Sequence, residues 1–293
     1  RLLLRANMSV TDLSTPHSAY LFGELSNCYL SSVGQTFLAR NLGLKQGLPP
    51  ALQHLGTVSF HGEVSGYFND LVTYGQLQTA LGTVDTDLML TTDRGKGLFA
   101  YSGSVKAEGF DVGQMLPKSK LGNVSLNVKV EGQHVKGRRP SIVMNGSIDS
   151  LAYSGYTYER ITLNGQYGHN GFQGEVLLDD KNAHLALHGN INTASEMPTF
   201  DFQADIRHFR PNALHLTPQY EGAEISLGIT SNFVGGSIDE MNGEISIDSL
   251  TYDANGNHYV MDKLLVTANT RDDQNKHLSI TSPFVQASIV GNY

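Results

Sequence analysis

The segment LGNVSLNVKVEG at 121–132 has two near-copies in the same chain, LGTVSFHGEVSG at 55–66 and GAEISLGITSN at 222–232, and all three alternate apolar with polar residues. A strand-like segment that recurs calls for a repeat-built β structure, not a chain folded around one catalytic centre. The agreement runs further. MNGSIDSLAY at 144–153 returns as MNGEISIDSLTY at 241–252, and Phe110 to Leu116 is echoed more loosely by Phe209 to Leu216. Val124 to Ile225, Ile148 to Ile247 and Phe110 to Phe209 lie 101, 99 and 99 residues apart, so one block occurs twice, with part of a third copy upstream.

From residue 57 onward the text has a period of two, which puts alternate side chains on opposite sides of a strand. Val124, Leu126, Val128 and Val130 fall on one face and Ser125, Asn127, Lys129 and Glu131 on the other. The same split holds for Val58, Phe60 and Val64, for Leu185 and Leu187 against His184 and His188, for Phe200 and Phe202, and for Ile225, Leu227 and Ile229. One face is greasy and the other wet. Turn signals at Asp93–Gly97, Gly137–Pro140, His169–Gly171, Asp179–Asn182, Gly235–Gly236, Asn255–Gly256 and Asp272–Asn275 separate the runs. Their short spacing implies an antiparallel meander, because parallel neighbours need long crossovers. Helical pattern is confined to Ser32–Leu42 and Pro49–Leu55, with single turns expected at Gly113–Leu116 and Asn212–Leu216. The expected organisation is a single elongated repeat region: an irregular start with short helices over 1–56, then blocks at 57–120, 121–221 and 222–293.

Composition narrows the function classes. The chain has 293 residues, 40% hydrophobic and only 16% charged, with 31 Gly and no Trp, which suits many strands joined by tight turns. A net charge of −8 argues against a nucleic-acid surface, which needs clustered cations. The one dense basic run, Lys136–Arg139, reads as a hairpin tip. Cys28 is the sole cysteine, so it forms no internal disulfide and reads as a small packed residue. No signal peptide or apolar span of about 20 residues is visible. The opening Arg1-Leu-Leu-Leu and the closing alternation Val285, Ala287, Ile289 are expected of a piece cut from a longer repetitive protein.

Candidate chemical sites dissolve on inspection. His184 and His188 have a helical zinc spacing, but on a strand their rings stand about 13 Å apart. Asp179 and Asp180 could be taken for paired catalytic carboxylates, yet they sit at a hairpin turn, as do Asp272 and Asp273. There is no phosphate loop, cysteine pair for zinc or nucleophile elbow, so neither an enzyme nor a bound cofactor or metal is expected. Tyr153, Tyr156 and Tyr158, with Tyr167 expected on the next strand, suggest cross-strand aromatic pairing or an aromatic platform for sugars.

Residues 146–209 resemble the repeat region of the TamB/AsmA-like family, whose TamB members are the inner-membrane component of the translocation and assembly module, in its Bacteroidetes form. The likeness rests on Ile148-Asp149-Ser150-Leu151, Tyr156 and Tyr158, Leu163-Asn164-Gly165, Phe172-Gln173-Gly174, the strand DDKNAHLALHG and Phe200 with Phe202, in that order. LPPALQHLGTVSFHGEVSG at 48–66 and SPFVQASIVGNY at 282–293 are similar to the same family. The resemblance implies an all-β, elongated and curled antiparallel sheet, a β-taco with one apolar inner face and a few helical plugs. It also implies a periplasmic, bridge-like protein of the Gram-negative cell envelope, anchored in the inner membrane by an N-terminal helix and meeting an outer-membrane barrel of the BamA superfamily. Neither of those end segments is visible in this sequence.

The expected function is therefore phospholipid transport through a hydrophobic groove, with support of outer-membrane protein assembly. Each CH₂ of an acyl chain costs about 0.8 kcal/mol in water, so a chain of roughly 16 carbons faces about 13 kcal/mol, which an apolar rail would remove. The residues expected to line it are Val58, Phe60, Val64, Val124, Leu126, Val128, Val130, Leu185, Leu187, Phe200, Phe202, Ile225, Leu227 and Ile229. About two dozen strands at about 4.8 Å each would run to roughly 110 Å. The alternative is a closed β-solenoid or sandwich acting as a carbohydrate-binding or adhesin module, with the apolar face packed dry. An outer-membrane barrel would need aromatic girdles and long loops on one side, which the sequence lacks.

Overall fold

The computed structural model describes residues 2–12, 18–35, 54–93, 95–135, 137, 140–168, 171–193, 195–237, 240–270 and 276–291. The architecture is all-β and antiparallel, as the alternation requires. It divides into two compact units, Arg1–Tyr158 and Glu159–Tyr293.

The first unit holds β1 (Leu2–Thr11), β2 (Tyr20–Leu30), β3 (Val58–Tyr67), β4 (Asp70–Thr79), β5 (Gly82–Asp93), β6 (Leu98–Asp111), the one-turn helix α1 (Val112–Met115), β7 (Leu121–Val135) and β8 (Ser141–Tyr153). From β1 to β8 each strand pairs antiparallel with the next in sequence. The second unit takes over within β9 (Tyr156–Gly168) and continues through β10 (Gly171–Asp180), β11 (Ala183–Asn192), β12 (Thr199–Phe209), β13 (Glu224–Val234), β14 (Asn242–Ala254), β15 (Asn257–Thr270), β16 (Lys276–Thr281) and β17 (Gln286–Gly291). These strands also pair in chain order. A solenoid would instead stack parallel coils, so that form of the alternative does not describe this chain.

Local chemistry fixes the hairpins. Asn255 and Gly256 both have positive φ, 52° and 77°, the conformation a two-residue turn needs to match the twist of its flanking strands. At α1, Asp111 accepts a bond from the backbone N–H of Gln114 at 3.1 Å and one from its side-chain amide at 2.6 Å, so the turn starts on a satisfied N-cap. α1 then lays Val112 and Met115 on a cluster of Leu81, Ala107, Phe110 and Val124, which is the hydrophobic core cluster of this unit.

The sequence repeat is a structural one. β6, α1, β7 and β8 correspond to β12, the turns at 210–216, β13 and β14, and the irregularities correspond too. The ladder shifts register between Ala107 and Phe110 in one unit and between Ile206 and Phe209 in the other. At the first shift Gly109 has φ 61° and donates its N–H to Ser125 Oγ at 3.0 Å; at the second His208 has φ 51° and donates to Ser226 Oγ at 3.1 Å. A helical turn follows in both copies, through Leu116 N–H to the Val112 carbonyl and through Leu214 N–H to the Arg210 carbonyl, each 3.0 Å.

Several expectations need correction. Residues 1–56 are not an irregular start: they carry two long strands, β1 and β2, which pair along their whole length with one irregularity. Helix is present at 32–35, whereas the rest of Ser32–Leu42 and nearly all of Pro49–Leu55 lie outside the described residues. The described strands number seventeen and not two dozen, because strands such as β7, at 15 residues, consume more chain than an average strand. The compact units meet at 158/159, within the expected block 121–221. Tyr167 lies on β9 with Tyr156 and Tyr158, not on the next strand. Asp272 and Asp273 lie outside the described residues, as does most of the run Lys136–Arg139.

Candidate functional site

Cross-strand register collects the apolar half of each strand into rungs that run across the sheet. In the first unit one rung reads Leu4, Cys28, Phe60, Leu77, Val84, Ala107, Leu126 and Ile148. The rungs through Val128, Val130 and Tyr101 lie parallel to it. In the second unit Leu163, Val176, Leu187, Ala204, Ile229, Ile247 and Leu264 form a rung of the same kind, and those through Phe202 and Phe200 accompany it. No Asp, Glu, Lys or Arg stands in any of these rungs. Four of them, each two residues further along the strands, span about 20 Å.

Three hydroxyls on this face are turned back onto the backbone. Thr73 donates to the Leu88 carbonyl at 3.4 Å, Thr86 to the Gly75 carbonyl at 3.2 Å and Ser231 to the Phe200 carbonyl at 2.9 Å. A hydroxyl bonded in this way leaves the face effectively apolar. Glycine allows the close packing. Gly62 pairs with Gly75 and Gly165 with Gly174, and a Cβ on Gly75 or Gly174 would lie 2.3 Å from a carbonyl oxygen of the neighbouring strand.

All fourteen expected residues fall on these apolar faces: Val58, Phe60, Val64, Val124, Leu126, Val128 and Val130 in the first unit, and Leu185, Leu187, Phe200, Phe202, Ile225, Leu227 and Ile229 in the second. Val124 and Val128 are buried, and the remainder are half-buried. Burial is complete at scattered positions, Val128, Ala204, Ser231 and Ala268 among them, and where the helical turns fold over strand ends, with α1 covering its cluster and Leu214 fully buried. A face sealed by a second layer would be buried throughout.

The residues with catalytic or metal-binding potential are occupied structurally. Asp180 is buried at the β10–β11 turn and accepts bonds from the backbone N–H of Glu159 at 3.1 Å and of Asn182 at 2.9 Å. His184 faces Asp179 at 3.6 Å and His188 faces Glu175 at 3.2 Å, each across a two-strand ladder. Among the described residues no group of three His, Cys, Asp or Glu is placed to hold a metal ion. Burial pushes the Cys28 thiol up, away from the thiolate that nucleophilic chemistry needs. Tyr156 and Tyr158 pack edge to face at 4.9 Å, and Tyr167 sits nine residues further along the same strand, so no tyrosine platform assembles. At the second corner His208 Nδ1 lies 2.6 Å from Glu224 Oε1, while Arg210 donates to Glu224 Oε2 from Nε and Nη2 at 2.9 and 2.7 Å. Those bonds, His208 first, hold the Glu224 carboxyl below its ordinary range. No described helix is long and apolar enough to cross a membrane.

The opposite face is not uniformly wet. In the second unit its carboxylates meet cations: Asp205 with Arg207 at 2.7 Å, Asp179 with Arg160 at 3.2 Å and Asp248 with Lys263 at 3.9 Å. Asp205 and Asp248 border a recess of about 590 Å³ floored by Leu177 and Ala186. In the first unit the same face exposes Tyr20, Phe22, Tyr67, Val72, Tyr74 and Met89. In β4 Val72 and Tyr74 flank Thr73, so alternation there carries this signal, whereas in β2 Tyr20 and Phe22 flank the apolar Leu21 and the signal is masked. No protein-family description, curated protein or solved structure matches the chain.

Proposed function

We propose that the apolar faces of this chain carry phospholipid acyl chains through an aqueous compartment, as a segment of a bridge-like transfer protein. The observation behind this reading is the set of charge-free rungs that cross eight strands in one unit and up to nine in the other, with most of their residues partly exposed. An acyl chain laid on such a face exchanges water for hydrocarbon at every methylene, about 0.8 kcal/mol each. At Thr73, Thr86 and Ser231 the bond to the backbone removes a polar hook at which a tail would stall. The setting that fits is the periplasm, in a parent protein anchored in the inner membrane. There the partner would be an outer-membrane barrel of the BamA superfamily, and support of outer-membrane protein assembly would follow from that contact. Nothing in this reading asks the chain to be an enzyme.

Native mass spectrometry of protein purified without detergent tests it, with co-purified phospholipid as the expected result. Leu126→Lys and Leu227→Lys each put a charge into a half-buried rung and should reduce bound phospholipid at least about tenfold, since a lysine at a hydrocarbon contact costs more than 1.4 kcal/mol. Either variant, folded with an unchanged circular dichroism spectrum and retaining full lipid occupancy, would defeat the proposal.

A further inference from the structure

We infer that the charged face of the first unit, on the side of the sheet away from the apolar rungs, is a docking surface for a protein segment that presents apolar side chains flanked by Lys or Arg. Register brings the exposed residues together. Phe22, Ser65, Val72 and Met89 are successive partners across β2 to β5, and Tyr74 lies two residues along β4 from Val72. Tyr20 and Tyr67 pair beside Phe22, their rings edge to face at 5.4 Å. Tyr20, Phe22, Tyr67, Val72, Tyr74 and Met89 are 40–64% exposed. Single exposed apolar residues are ordinary on a protein surface, but six large ones on one face of four neighbouring strands form a patch, and Tyr, Phe and Met are the types that interfaces concentrate.

The occupant is fixed by charge. Glu24, Glu63, Tyr74 and Asp87 form the next rung, and among the described residues none of these three carboxylates has a cation within ion-pair distance. The nearby Lys106 is engaged with Glu108 at 3.0 Å, which raises its pKa. Two recesses, of about 450 and 490 Å³, meet at Asp87: Tyr74, Glu24, Glu63 and Lys106 border the first, and Val72, Met89 and Lys129, two strands on from Asp87, the second, so the acidic residues outnumber the cations at the Tyr74 end. On the corresponding face of the second unit Asp179, Asp205 and Asp248 meet cations while, among the described residues, Asp201 and Glu244 do not, so what sets this patch apart is three carboxylates of one rung without a cation beside the exposed aromatics. A second copy of a chain with net charge −8 would meet like charge here, and an anionic lipid surface would be repelled by the same carboxylates. A saccharide could stack on Tyr74 but gains no hydrogen bonds from Phe22, Val72 or Met89. A basic and apolar peptide satisfies both components, with aromatic anchors supplying affinity and the rim supplying orientation and rate.

Fluorescence anisotropy on the full chain tests this with two octapeptides, one alternating Lys with Phe and Val, the other carrying Glu in place of Lys. The Lys peptide should bind about tenfold tighter or more, with an affinity that falls as salt is raised. Phe22→Ser combined with Tyr74→Ser should weaken it about tenfold. Glu63→Gln with Asp87→Asn should abolish the preference between the peptides while leaving weak binding of both. All four substitutions lie on the face opposite the rungs, so phospholipid occupancy stays unchanged, and loss of lipid from the wild type would count only against the transport reading. Equal binding of the two peptides, undiminished binding by the Phe22/Tyr74 variant, or binding of a neutral oligosaccharide in place of the Lys peptide would overturn the inference.

Discussion

The two units share an inside and differ outside. Each carries apolar rungs with cross-strand glycine pairs, a register shift near the end of a strand and a helical turn folded over that end. On the other side of the sheet, one unit exposes aromatics beside a rung of three unpaired carboxylates, and the other matches most of its carboxylates, though not Asp201 or Glu244, with Arg, His and Lys. A ladder constrains the residues that pack on it and hardly constrains those that face water, where exposed ion pairs contribute about 0–1 kcal/mol. Repetition therefore preserves the inner face and leaves the outer one free to diverge.

The sharpest way to break that comparison is to strike the same inner position twice. Gly75 and Gly174 have φ of 158° and 152°, and in each a Cβ would meet a carbonyl oxygen of the paired strand at 2.3 Å. Gly75→Val and Gly174→Val should each lower unfolding free energy by about 3 kcal/mol, measured by denaturant titration, through backbone strain and overpacking together. If one variant cost less than about 1 kcal/mol, the two inner faces would not be equivalent.

How far the sequence discloses this arrangement depends on what kind of force fixes each part. The strands from Val58 onward, the antiparallel pairing and the membership of the apolar face are legible because period two and turn residues act locally. β2 is harder to read, since in YLFGELSNCYL both faces carry large apolar residues and the alternation is masked. That same masking hides the patch at Tyr20 and Phe22. Tyr167 is misplaced because thirteen residues of β9 run on through Asn164 and Gly165, a dipeptide that elsewhere marks a turn. Here Gly165 faces Gly174 within the ladder, so the glycine serves close approach and not reversal. The corner at His208 has no local signal at all: a histidine takes the left-handed conformation that a glycine takes at position 109, and only the 99-residue offset aligns them.

Exchanging those corner residues sharpens the comparison at a smaller scale. Gly109→His asks a branched side chain to adopt φ near 61° with no carboxylate opposite, because Asn123 stands where Glu224 does in the other unit. A loss of about 1 kcal/mol is expected. His208→Gly removes that conformational cost and also the contact to Glu224, and the two changes should nearly cancel, giving a shift within about 0.5 kcal/mol. A loss above about 1 kcal/mol for His208→Gly would mean that the ion cluster, and not the Ser226 bond, holds the second corner.

The smallest expected effect isolates that cluster by pH. Glu224 has its carboxyl lowered by the His208 and Arg210 bonds, so the unfolded chain takes up this proton at a higher pH than the folded one. The stabilisation is therefore fully present above the ordinary value of 4.5 and disappears as pH falls through the lower, folded value. Wild type should exceed Glu224→Gln in stability near neutral pH by less than about 1 kcal/mol, the range of partly exposed pairs, and the gap should close below pH 4.5. Asn123 has no proton to gain, so Asn123→Ala should show a difference that is flat across the same titration. Parallel pH profiles for the two pairs of proteins would place acid sensitivity elsewhere and remove the electrostatic distinction between the corners. Divergent profiles would instead assign the acid response of the fold to one end of the second unit, at the point where the chain leaves β12 to bury Leu214.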